Sequence, residues 1–231
     1  MLRKSERLNI RRAVRLLLFA AAAAALMPAL AWAEQVAGTI KTRVREGASA
    51  AVPVVYAERL DAPTPDRPGT FAITQKSKTF VPRVLAVPNG SSVSFPNEDP
   101  IFHNVFSLST PQPFDLGLYR AGAAKTRTFA QPAVYYVFCN IHPQMVAFLV
   151  VAPSPWVAMA TADGTWRLDL PAGRYRITAL SERASPVAIE VIVGKGMTEA
   201  PPIALDETVA VVAPHLNKYG KPYPKSAYTD K

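Results

Sequence analysis

Val134-Tyr135-Tyr136-Val137-Phe138-Cys139-Asn140-Ile141-His142-Pro143-Gln144-Met145-Val146-Ala147-Phe148-Leu149-Val150-Val151 is the stretch on which the reading of this chain turns. Its two ends are rich in β-branched and aromatic residues and read as strands. Between them a short loop carries a thiol, an imidazole and a thioether, spaced Cys-x-x-His-x-x-Met. Three soft or borderline donors so close together converge on one point when a metal ion organises them. A fourth donor comes from upstream: a strand ending at Phe95 turns through Pro96-Asn97-Glu98-Asp99-Pro100-Ile101-Phe102 and delivers His103.

Two histidine nitrogens, one thiolate and a weak methionine form the ligand set of a mononuclear copper centre that cycles between Cu(I) and Cu(II). His103, Cys139, His142 and Met145 are therefore the expected metal ligands. Zinc fits less well, because structural zinc sites take Cys and His, and a thioether is a poor zinc donor. Covalent haem attachment needs a second cysteine, and the chain has only 1. Taken singly, each residue has an ordinary packing role: a buried free cysteine acts as a small hydrophobe, and a methionine beside a strand fills space. Spacing, cysteine count and compartment together favour the metal.

The compartment is read from the N-terminus. Arg3, Lys4, Arg7, Arg11, Arg12 and Arg15 precede an uncharged apolar run from Leu16 to Leu30, followed by Ala31-Trp32-Ala33. That order describes a signal peptide over residues 1–33, cleaved before Glu34, with no stable membrane insertion afterwards. An exported, periplasmic protein is expected. Its lone thiol then enters an oxidising compartment where it can form no internal disulfide, which again suits a coordinated sulfur. Without the leader the chain keeps 20 Lys+Arg against 16 Asp+Glu. Such a mild excess argues against nucleic acid as a partner.

Proline is dense after the leader, so few windows suit a long helix, while strand-like runs recur between turn signals such as Pro88-Asn89-Gly90 and Asp163-Gly164. Two proline-rich segments, Asp61 to Gly69 and Ala152 to Pro155, divide the chain. The expected order is an N-terminal β segment with its linker over 34–69, a metal-binding domain over 70–152, a second β-sandwich over 155–212 and a polar tail over 213–231. The tail is expected to be extended or disordered.

Phe95-Pro96-Asn97, His103-Asn104-Val105-Phe106-Ser107 and Cys139-Asn140-Ile141-His142-Pro143-Gln144-Met145 resemble the plastocyanin-like cupredoxins, and the short ligand loop looks most like that of amicyanin. The resemblance covers about residues 71–151. It implies an all-β, Greek-key cupredoxin β-sandwich with copper at one end, His103, Cys139 and His142 as equatorial ligands and Met145 as the axial one. It also implies that Asn104 pins the two ligand loops together by hydrogen bonds. Asn140 and Ile141 depart from amicyanin, which has a proline before its histidine, and their N–H groups are candidates to donate to the sulfur. Val36-Ala37-Gly38-Thr39-Ile40, Val52 to Tyr56, Asp163 to Leu168 and Pro171 to Ile177 resemble a second small fold, the transthyretin-like (carboxypeptidase regulatory-like) β-sandwich. If both halves belong to one such sandwich, the copper domain is inserted in it.

Function follows from the ligand set. The expected role is a one-electron carrier, exchanging electrons with a c-type cytochrome or a periplasmic dehydrogenase through the edge of His142. A copper module for storage, delivery or sensing is the alternative, and a structural or adhesion sandwich that keeps the metal for stability is a third reading. An enzyme is not expected: the chain has 3 histidines, of which two are ligands, and His215 alone cannot build a second copper centre.

Overall fold

The computed structural model describes residues 33–210 and 215–223, so the expected leader lies outside the described residues except for Ala33. The all-β expectation holds: every regular element among those residues is a strand. Strands β1 (Glu34–Arg43) and β2 (Val54–Arg59) come first. The expected strand over Val52 to Tyr56 starts only at Val54, beyond Pro53, which has no N–H for a ladder. Then come β3 (Thr70–Ala72), β4 (Thr74–Lys76), β5 (Thr79–Val81), β6 (Val84–Pro88) and β7 (Ser92–Pro96). They are followed by β8 (His103–Ser107), β9 (Phe114–Tyr119), β10 (Ala124–Thr128), β11 (Ala133–Phe138) and β12 (Val146–Ala152). The series ends with β13 (Val157–Met159), β14 (Thr165–Leu170), β15 (Gly173–Ser181), β16 (Ala184–Val193), β17 (Thr198–Glu199) and β18 (Ile203–Asp206).

The first two strands pair with five of the last six, and β16 joins them through β15. β1 runs antiparallel to β14, from Glu34 opposite Leu170 to Thr39 opposite Thr165, and parallel to β17 and β18. β2 lies between β13 and β15, antiparallel to both. Val36, Val55, Trp166, Leu168, Tyr175 and Ile177 share the core between these sheets. Trp166 lies over Gly38, where a Cβ would come within 2.5 Å of the indole. The glycine is thus what lets a strand from the start of the chain close against one far along it. Gly38→Val should cost about 2 kcal/mol by overpacking. Denaturant unfolding of the purified variant measures this, and an unchanged midpoint would mean that β1 does not pack beneath Trp166.

The intervening strands make a second core. A five-stranded sheet in the order β6-β12-β11-β8-β9 faces a three-stranded sheet in the order β10-β7-β3. Val93, Phe95, Phe129, Tyr135, Val137 and Leu149 are buried between them. β6 and β12 read as unbroken apolar runs rather than alternating ones, and the reason is that both their faces are covered. Leu85, Val87, Ala147, Leu149 and Val151 point into this core. Val84, Ala86, Phe148 and Val150 pack on the other side against Val54 of β2 and Leu180 of β15. A third small core therefore joins the two sets of sheets.

Candidate metal centre

His103 is the first residue of β8, and Cys139 directly follows β11. These strands are neighbours in the five-stranded sheet, with Phe106 opposite Phe138, so the sheet register carries both residues to one end. The loop after β11 folds on itself: Met145 N–H donates to the His142 carbonyl at 2.9 Å and Cys139 N–H to the Met145 carbonyl at 3.3 Å. Pro143 lies inside this closed turn, where its fixed φ stiffens the step after His142. His103, Cys139 and Met145 are fully buried, while His142 is half-buried.

Three of the four expected ligands present donor atoms to one point. His103 Nδ1 and His142 Nδ1 are 3.1 Å apart, and Cys139 Sγ is 3.7 Å from the first and 3.8 Å from the second. A point equidistant from these atoms lies about 2.1 Å from each, within the usual range of metal–nitrogen and metal–sulfur bonds. The triangle is therefore the size that a trigonal two-histidine, one-thiolate metal site requires. The donor set fits a copper ion. Met145, the residue before β12, is buried in the same apolar core as Cys139.

Electrostatics point the same way. Burial pushes the Cys139 thiol up, opposed by N–H groups of Asn104, Ile141 and His142 that face the sulfur and lower it. Three amide donors aimed at one sulfur favour a thiolate, and burial penalises a thiolate that has no cation beside it. A bound cation resolves both demands. The sequence expectation that N–H groups between Cys139 and His142 reach the sulfur is thus met by Ile141, with His142 itself adding another.

His103 is oriented from behind. Its Nε2 donates to Asp99 Oδ2 at 2.8 Å, which sets the proton on Nε2 and leaves the Nδ1 lone pair facing Cys139. Asp99 also accepts from Ser77 N–H at 2.5 Å and Lys78 N–H at 2.8 Å. Ser77 and Lys78 form the turn between β4 and β5 with φ of 54° and 55°, a left-handed conformation that residues other than glycine rarely adopt. Both amides of that turn point at one carboxylate, and their bonds offset the backbone cost. Burial works to raise the Asp99 carboxyl, but the N–H groups of Lys78 and Ser77 and the His103 ring outweigh it and hold it below the usual carboxylate range. Asn97 shapes the same loop, accepting from Asp99 N–H at 3.0 Å and donating to the Ile101 carbonyl at 2.8 Å.

Asn104 joins the two ligand loops, as the resemblance implied, and does so through its main chain. Its backbone N–H faces the Cys139 sulfur, whereas its side chain turns away and donates to Asp115 Oδ1 on β9 at 2.6 Å. The link between the loops is thus made by main chain, and the carboxamide braces β8 against β9.

The segment 215–223, expected as part of an extended or disordered tail, forms a turn over the ligand loop. His215 Nε2 lies 2.5 Å from the Pro143 carbonyl, Lys218 N–H donates to Asn140 Oδ1 at 3.0 Å, and Tyr223 Oη donates to the Cys139 carbonyl at 3.2 Å. Sequence reasoning missed Asp99, Asp115 and this segment. A carboxylate four residues before a ligand histidine is a usable signal for Asp99. Nothing local marks the other two, which act across 103 residues in the Lys218–Asp115 pair at 2.8 Å.

No family model and no curated protein sequence matches the chain. Among solved structures, a Cu-containing nitrite reductase from Thermus scotoductus is similar at 29% identity with a TM-score of 0.34, over 37% of this chain and 22% of its own. A purple cupredoxin from Nitrosopumilus maritimus is similar at 24% identity and a TM-score of 0.33, over 35% of this chain and 98% of its own. An amicyanin is similar at 21% identity and a TM-score of 0.33, over 35% of this chain and 80% of its own. The chain thus spans less than a quarter of the nitrite reductase.

Proposed function

We propose that this protein is an exported blue-copper protein of cupredoxin type whose role is to carry single electrons. The observation that carries the reading is the convergence of His103 Nδ1, His142 Nδ1 and Cys139 Sγ at separations of 3.1 to 3.8 Å. A copper ion held there would supply one-electron chemistry, with Met145 as the fourth residue expected to hold it.

The chain's own residues supply retention and constancy of shape. Asp99 fixes one imidazole, three amides hold the sulfur, and the loop closes through its own backbone, so little has to move when the charge of the site changes. Only His142 is partly open to solvent, which makes its edge the natural exit toward a c-type cytochrome or a periplasmic dehydrogenase. A non-catalytic role is favoured because the third histidine, His215, has both ring nitrogens beside carbonyls, of Pro143 and Leu216, and is not aimed into the cluster.

Copper(II) addition followed by stopped-flow electron exchange, run beside a transfer assay to a copper-free acceptor, tests the reading. The expected result is an intense visible thiolate band, fast reversible exchange with a c-type cytochrome and slow loss of copper. Sluggish exchange together with ready transfer of copper(I) would make the protein a copper courier instead.

A further inference from the structure

We propose that the C-terminal turn over residues 215–223 is a brace for the metal loop, with His215, Lys218 and Tyr223 as positioning residues that slow the release of the ion; this rests on the copper reading above. The turn grips the loop at several points. His215 lies against the Pro143 carbonyl at 2.5 Å, between the His142 and Met145 positions. Tyr223 Oη donates to the carbonyl of Cys139 itself at 3.2 Å. Lys218 N–H holds the Asn140 side chain at 3.0 Å. The His215 ring also stacks on Phe138, the last residue of β11, with centroids 4.0 Å apart and planes 14° apart, and meets Tyr223 edge-on at 5.2 Å.

The second ligand loop is held as well. Lys218 Nζ pairs with Asp115 Oδ2 at 2.8 Å, while the other oxygen of Asp115 accepts from Asn104, the residue after His103. One cation of the turn therefore fastens the carboxylate that braces β8 and β9.

The turn is closed by its own hydrogen bonds. Asn217 Oδ1 accepts from Tyr219 N–H at 2.9 Å and Lys221 N–H at 3.1 Å, and Asn217 N–H donates to the Lys221 carbonyl at 2.8 Å. Gly220 closes it at φ 71°. A segment whose own hydrogen bonds fix its shape loses less entropy on docking than a free tail would. Release of an ion from a buried triangle requires the loop 139–145 to open, and opening must first break the bonds to the Pro143 and Cys139 carbonyls. Local openings of this kind are separate from global unfolding.

The test is the double variant His215→Ala/Tyr223→Phe in the full chain, with Lys218→Ala as a second variant. Copper loss to a competing chelator and amide exchange at Ile141, His142, Gln144 and Met145 in the metal-free protein are both measured. The double variant removes two bonds of ordinary strength and should speed each by about tenfold, and Lys218→Ala, which removes the Asp115 pair alone, by less, while the midpoint of global unfolding moves little. A parent that binds copper and releases it no more slowly than the variants overturns the brace. Faster amide exchange in variants of a parent that takes up no copper would keep the brace and sink the metal reading.

Discussion

Cys139→Ser should leave a folded protein that has lost its intense visible band on copper(II) addition, because the thiolate is the only strongly electron-donating group in the cluster. The fold survives for a local reason. A serine hydroxyl accepts from the amides of Asn104, Ile141 and His142 that face the sulfur, so the stability cost is only about 1 kcal/mol. Absorption titration and thermal melting of the same sample separate the two effects. A serine variant that stays intensely coloured would mean that the sulfur is not a ligand. A native protein that never colours would mean that the triangle of donors holds no copper(II).

The other large effect is expected at Asp99, which touches no metal position. Asp99→Ala leaves His103 Nε2 and the amides of Ser77 and Lys78 without their acceptor, all in or beside a buried site. Losing three acceptor contacts, with two left-handed residues no longer compensated, should cost about 3 kcal/mol of stability. Copper affinity should fall about 10- to 100-fold, as it does when the partner behind a ligating histidine is removed. Asp99→Asn should lie between, since its carboxamide oxygen keeps one amide bond. Denaturant unfolding of the metal-free variants and competition titration with a copper chelator measure the two losses. An affinity equal to that of the native protein would show that His103 is held by its strand alone.

Much of this was legible in the residues. The unbroken apolar strands, the turn signals and the density of proline announce an all-β chain, because those properties are local and depend on neighbours in sequence. The Cys139, His142 and Met145 loop was equally readable, since ligands three residues apart on one turn need no tertiary information to be seen together. His103 was found because a strand, a polar turn and a histidine repeat the same logic in a second place.

What lay beyond the sequence was everything that depends on which distant strands become neighbours. The register of β8 beside β11 brings His103 and His142 to 3.1 Å. The turn of β4 and β5 meets Asp99, and Lys218 meets Asp115 across the ligand end. Even Asn104, whose place in the motif was plain, acts on the sulfur through its amide rather than its side chain, a matter of backbone direction that residue identity does not encode. The sequence determined the donor types and their loop, because chemistry resides in side chains. Only the tertiary structure decided what orients and encloses them, because hydrogen-bond partners are set by the packing of sheets and not by spacing along the chain.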